Sequence, residues 1–94
     1  MASGAGWSLT IRRMTVTILL FASLAEAAGT RRLELAAEPG DTVASVRDRV
    51  VTAHPQLARF VPTLMVAVDE VYATDDDPVP PGATVALIPP VSGG

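Results

Sequence analysis

From Thr15 to Phe21 the stretch TVTILLF sorts by parity, with Val16, Ile18 and Leu20 on one face of an extended chain and Thr17, Leu19 and Phe21 on the other. This predicts a first strand, Thr15 to Phe21, with one face committed to a core. Ala22 to Ala28 is alanine-rich and stops at Gly29, which suits a short helical turn closed by a glycine. Arg32 to Ala37 returns to alternation, burying Leu33 and Leu35 while Arg32 and Glu34 face water. Pro39-Gly40-Asp41 then makes a turn, after which the period changes. Thr42 is placed to cap a helix reaching about His54, on which Val43, Val46, Val50 and Val51 form one apolar stripe. Arg47, Asp48 and Arg49 lie largely outside that stripe. Pro55 ends the helix, and Gln56 to Val61 predicts another short helical turn that packs Leu57 and Phe60.

Leu64 to Val68 predicts a central apolar strand, followed by a turn at Asp69-Glu70 and a very short strand holding Tyr72. Asp75-Asp76-Asp77-Pro78 opens a loop that closes through Pro80-Pro81-Gly82, and Thr84 to Ile88 is the last strand. The order ββαβ with a final β implies an α+β fold in which one mixed sheet is covered by one main helix. There is no internal repeat and no second domain. Residues 1–13, MASGAGWSLTIRR, are small, Gly-rich and without sustained period, so a mobile arm is expected, with Trp7 exposed on it and Met14 reading as a second start of translation. The expected division is an arm at 1–13, a folded domain at 14–88 and a tail at 89–94.

Composition removes several function classes. The chain has 94 residues, 49% of them hydrophobic, enough for one small core and too apolar for disorder. Without cysteine there is no disulfide framework, thiolate metal site or cysteine nucleophile. All seven basic residues are arginine and the net charge is −3; from Met14 onward five arginines face ten acidic residues. Nucleic acid is a poor partner for such a surface, whereas a basic protein surface, or no partner at all, fits it. The longest apolar stretch, Thr15 to Ala25, is too short to span a bilayer, so no membrane partner is expected. Arg12-Arg13, that stretch and Ala25-Glu26-Ala27 imitate an export signal. Strand alternation within the stretch argues against export, and cleavage after Ala27 would remove the first strand; a cytoplasmic location is expected.

Candidate chemistry is sparse. His54, the lone histidine beside a helix-ending proline, reads as a capping or surface residue rather than a ligand. Asp75 to Asp77 lacks the alternating spacing and distal Glu of an EF-hand loop and reads as a solvated loop, so no metal site is expected. No Ser/His/Asp set and no Gly-rich phosphate loop is visible, and the domain carries no catalytic machinery of its own. What remains is the end of the chain, PPVSGG. Pro89 and Pro90 favour a stiff extended exit, and Gly93 and Gly94, lacking Cβ atoms, fit a slot too narrow for side chains. Six extended residues reach roughly 20 Å, enough to enter a deep pocket while the body docks outside. Transfer of AMP from ATP would turn the Gly94 carboxylate into an acyl donor, and sulfur displacing AMP would leave a thiocarboxylate, a carrier group that needs no cysteine.

From Met14 to Gly94 the sequence resembles the small subunit of molybdopterin synthase, a ubiquitin-like β-grasp sulfur carrier. The resemblance rests on LLFASLAEAAG, GDTVASVRDRV, LMVAVDEVYA, PPGATVALI and the closing PPVSGG. It implies that Gly94 is adenylated by an E1-like adenylyltransferase, which consumes ATP, and receives sulfur from a donor protein. It implies further that Gly93 lets the tail thread into the large subunit of a heterotetramer. There sulfur passes to cyclic pyranopterin monophosphate to build the dithiolene of the molybdenum cofactor. The small subunit would bind no cofactor itself, the active site lying largely in its partner. Phe21, Tyr72 and Ile88 match the family's apolar docking patch on the exposed sheet face, and Pro89, Pro90, Val91 and Ser92 its inserting tail. The alternative for Tyr72 and Ile88 is completion of a small core. Asp69 stands where the family commonly has Asn, and residues 1–13 have no counterpart. Other readings are a carrier for thiamine, cysteine or tRNA thiolation, and a ubiquitin-like modifier joined through Gly94 to lysines of other proteins.

Overall fold

The computed structural model describes residues 14–90; the arm at 1–13 and the tail positions Val91, Ser92, Gly93 and Gly94 lie outside the described residues. The elements are β1 (Thr15–Leu20), α1 (Ser23–Ala28), β2 (Arg32–Ala36), α2 (Val43–Ala53), a 3₁₀ segment (Pro55–Thr63), β3 (Met65–Val68), β4 (Val71–Ala73) and β5 (Thr84–Ile88). Five strands form one mixed sheet in the order β2-β1-β5-β3-β4. β1 runs parallel to β5, and every other neighbouring pair is antiparallel. This is the β-grasp arrangement, with the helical segments on one face.

Parity in β1 does what the sequence requires. Val16, Ile18 and Leu20 are almost fully buried and meet Leu24 of α1, Val43, Val46 and Val50 of α2, Leu57 of the 3₁₀ segment, and Val85 and Leu87 of β5. Gly29 closes α1 in the left-handed conformation at φ 78°, where a Cβ would be strained, and its N–H donates to the Ala25 carbonyl. Thr42 caps α2 reciprocally: its Oγ1 accepts from the Ser45 N–H at 3.2 Å, and its own N–H donates to Ser45 Oγ at 2.9 Å.

Three expectations need correction. The middle of the sheet is β5; the strand at residues 65–68 lies between β5 and β4, because the parallel β1–β5 pairing inserts the last strand there. The short turn expected at Gln56 to Val61 is a nine-residue 3₁₀ segment that keeps Leu57 buried and Phe60 half-buried, and Pro62 lies inside it. Leu33 and Leu35 are only half-buried, since β2 is an edge strand.

α2 is tied to its surroundings by charge. Asp41 is buried and accepts from Arg49 Nη1 at 2.6 Å and Nη2 at 3.0 Å, from Ser45 Oγ at 2.8 Å and from the Glu38 N–H at 2.9 Å. Arg49 also donates to the Ala36 carbonyl, linking helix, turn and edge strand. Arg47 clamps Asp75 with two bonds, at 2.7 and 3.3 Å. Both arginines thus lie outside the apolar stripe, as the pattern indicates, yet neither side chain is free in water.

Candidate functional site

The face of the sheet turned away from α2 carries the residues of opposite parity. Leu19 is in register with Ala86, Ala86 with Ala67, and Ala67 with Tyr72, so these four form a row across β1, β5, β3 and β4. One step along, Met65 is in register with Ile88, and the Phe21 N–H donates to the Leu87 carbonyl, which sets Phe21 beside Ile88 at the edge of the same face. Phe21 is 46% exposed, Met65 45% and Tyr72 67%, while Ile88 is half-buried. Tyr72 therefore completes no core. An exposed apolar group of this kind has a cost in water and marks a docking surface more readily than scattered single residues do.

The chain leaves this same corner. β5 ends at Ile88; Pro89 is half-buried and Pro90 exposed. The Pro89-Pro90 pair removes two N–H donors and holds φ near −65°, so β5 cannot continue its ladder and the backbone is directed off the sheet. Phe21, Tyr72 and Ile88 are thus brought to one face, Phe21 and Ile88 at the end from which Pro89 and Pro90 continue, while Val91, Ser92, Gly93 and Gly94 lie outside the described residues.

Leu19 and Met65 belong to this surface and are missed by the sequence reading. Leu19 could have been found from parity in β1. Met65 sits in the unbroken apolar run LMVAV, where alternation gives no sign of which face a side chain takes.

Charge frames the apolar rows. On the β2 side Arg32 pairs with Glu34 at 3.3 Å. On the other side the β3–β4 hairpin turns through Asp69 and Glu70, both left-handed at φ 48° and 73°. Asp69 is anchored to β5, its N–H donating to the Thr84 carbonyl at 2.8 Å and its Oδ1 accepting from the Thr84 N–H at 2.9 Å. An aspartate thus serves at this turn, where Asn or Asp is favoured. Ala22, directly after Phe21, is held at φ 52°, ψ −123°, a strained conformation for a residue with a Cβ. It turns the chain from β1 into α1 while Phe21 stays on the open face.

The other chemical candidates have structural employment. The His54 N–H donates to the Val50 carbonyl and closes α2. Asp75 holds Arg47, and Asp77 Oδ2 accepts from the Thr74 N–H at 2.8 Å. Among the described residues no group of His, Asp and Glu gathers as a metal-ligand set, and no helix is long and apolar enough to cross a membrane.

Comparison with known proteins agrees with this geometry. The model of the ThiS family matches residues 18–94. The molybdopterin synthase sulfur carrier subunit of Arabidopsis thaliana is 34% identical over 79 residues, covering 84% of this chain and 82% of that protein. The crystal structure of SAMP1 from Haloferax volcanii, a small archaeal modifier protein, superposes with a TM-score of 0.78 at 33% identity, covering 85% of this chain and 99% of that one. The fold is also that of a chain in the complex of subunits 1 and 2 of molybdopterin-converting factor from Helicobacter pylori. That match has a TM-score of 0.63 at 18% identity and covers 86% of this chain and all of the other.

Proposed function

The chain belongs to the ThiS family, and on that premise we propose that it is the sulfur carrier subunit of a molybdopterin synthase, with Gly94 as the group that bears sulfur. The observation that carries this reading is the row of exposed Phe21 and Met65 with half-buried Ile88 between them, at the end of the sheet from which Pro89 departs. A body that docks through this face delivers whatever follows Pro90 into its partner. The relative from Arabidopsis thaliana bears the name of such a carrier, and the Helicobacter pylori neighbour is a subunit in complex with a second one.

In this account an E1-like adenylyltransferase brings the Gly94 carboxylate to ATP. A carboxylate oxygen attacks the α-phosphorus, pyrophosphate leaves, and the acyl carbon becomes bonded to a good leaving group. Sulfide-level sulfur delivered by a donor protein then attacks the acyl carbon, and AMP leaves. The thiocarboxylate enters the large subunit, in a cytoplasmic heterotetramer of two small and two large subunits, and sulfur passes to cyclic pyranopterin monophosphate. Gly93 is the residue whose missing side chain lets the terminus thread. Pro89, Pro90, Val91 and Ser92 form the tail that enters the large subunit, and Phe21, Tyr72 and Ile88 hold the body outside it. The carrier binds no cofactor; ATP belongs to the activating step.

Reconstitution with a large subunit, an activating enzyme, ATP and a sulfur donor tests this reading. Removal of Gly94 should leave complex formation intact and abolish dithiolene formation. Product formed by the shortened chain would show that the terminus is not the active group.

A second reading is favoured by the likeness to the Haloferax volcanii modifier: a protein modifier joined through Gly94 to amines of other proteins. The chain has no lysine, so lysine-linked chains of itself are chemically excluded while single conjugation is not. Higher-mass covalent conjugates of the tagged chain in cells would support it. The same activated terminus would also serve thiamine, cysteine or tRNA thiolation, which differ only in the acceptor.

A further inference from the structure

Several carboxylates of the fold have cationic partners: Glu34 pairs with Arg32, Glu38 and Asp41 with Arg49, and Asp75 with Arg47. Asp69 and Glu70 are exposed and, among the described residues, enter no ion pair. Both border a depression of about 480 Å³ on the open face of the sheet, with Leu19, Phe21 and Ala86 as its floor and Thr84 beside them on the rim.

The turn fixes where these two charges sit. Asp69 is bonded to both backbone groups of Thr84, and Glu70 holds φ 73° at the second central position of a two-residue hairpin turn, where glycine is free of strain. A charged side chain is thus kept where the backbone alone favours none. The turn lies at the Thr84 end of β5, whereas the chain leaves the sheet at the Ile88 end; the two ends of this five-residue strand are about 13 Å apart. Burial of an apolar face is non-directional and does not by itself orient a partner. A charge remote from the chain exit supplies that direction.

We propose that the large subunit presents an arginine or lysine to this depression, its aliphatic stem along Leu19 and Ala86 and its charged head against the Asp69 and Glu70 carboxylates, and that this contact orients the carrier so that its exit at Pro89 meets the partner. The inference rests on the carrier reading above. Apolar floor and anionic rim together match a long basic side chain, which buries its stem on apolar surface while its head seeks charge. The occupant is a basic partner rather than a second copy because each copy carries a net charge of −3 and brings the same acidic turn, so that two copies repel.

The test is titration of the large subunit with the full-length chain across a range of sodium chloride concentrations. The parent is compared with Asp69→Asn/Glu70→Gln, which removes both charges at nearly constant size and leaves an amide oxygen at position 69 to accept from the Thr84 N–H. Asp48→Asn/Asp76→Asn is the control of equal charge, at exposed positions on α2 and on the loop that Arg47 clamps. The first pair should weaken binding about tenfold at low salt and flatten its salt dependence, with the control close to the parent. Unchanged affinity in Asp69→Asn/Glu70→Gln, or an equal loss in the control, overturns the contact and leaves the carrier reading standing. Failure of the parent chain to bind the large subunit at all overturns both. Dimerisation of the parent chain alone, lost in Asp69→Asn/Glu70→Gln, also overturns the proposal, in favour of a second copy as occupant.

Discussion

At the scale of single residues, Asp41 sets the acid limit of the fold. Its hydrogen bonds from Arg49, then those from the Glu38 N–H and Ser45, outweigh the cost of its burial and hold its carboxyl at about 2, below the ordinary 3.8. A folded value below the unfolded one means that the contribution is complete above the unfolded value and is lost as pH falls toward 2. It amounts to about 2 kcal/mol. Urea midpoints should therefore drop between about pH 4 and pH 2, and Asp41→Asn should flatten that part of the profile while lowering stability at neutral pH. Arg49→Met should cost about 3 kcal/mol at neutral pH, because it leaves a buried carboxylate without its partner. Ala22 predicts the opposite sign: Ala22→Gly releases a positive-φ residue and should raise stability by about 1 kcal/mol, measured as the shift in urea midpoint.

At the scale of elements, much of the fold is legible in the sequence because it depends on neighbours a few residues apart. The parity of Val16, Ile18 and Leu20, the Gly29 stop, the Thr42 cap and the valine stripe of α2 are all local signals, and the structure uses each of them. Thr42→Ala should cost about 1 kcal/mol in the urea midpoint by leaving the Ser45 N–H without its acceptor. What the sequence does not disclose is long-range. Nothing in ATVALI says that it lies between β1 and β3, and nothing in LMVAV says that Met65 faces out. The pairing of Arg47 with Asp75 joins residues separated by 28 positions. For the candidate site the same division holds: Phe21 and Ile88 follow from strand parity, whereas the row that adds Met65, and the path from it to Pro89, needs the register of β3 against β5.

At the scale of the whole molecule, the architecture is a sheet covered on one face by helices, with its other face and its chain exit meeting at one corner. That asymmetry separates stability from docking. Val16, Ile18, Val46 and Leu87 sustain the fold, while Phe21, Met65 and Tyr72 contribute little to it. Tyr72→Ala and Met65→Glu should accordingly leave the urea midpoint within about 0.5 kcal/mol of the parent. Each should weaken binding to the large subunit about tenfold or more, read by titration calorimetry. The central claim is that Gly94 carries sulfur, and the intact mass of the chain tests it most directly, after incubation with ATP, an activating enzyme and a sulfur donor. The account predicts a gain equal to replacement of one oxygen by one sulfur, located at Gly94 and absent without ATP. An unchanged mass, under conditions in which the same enzymes load another carrier, would contradict it.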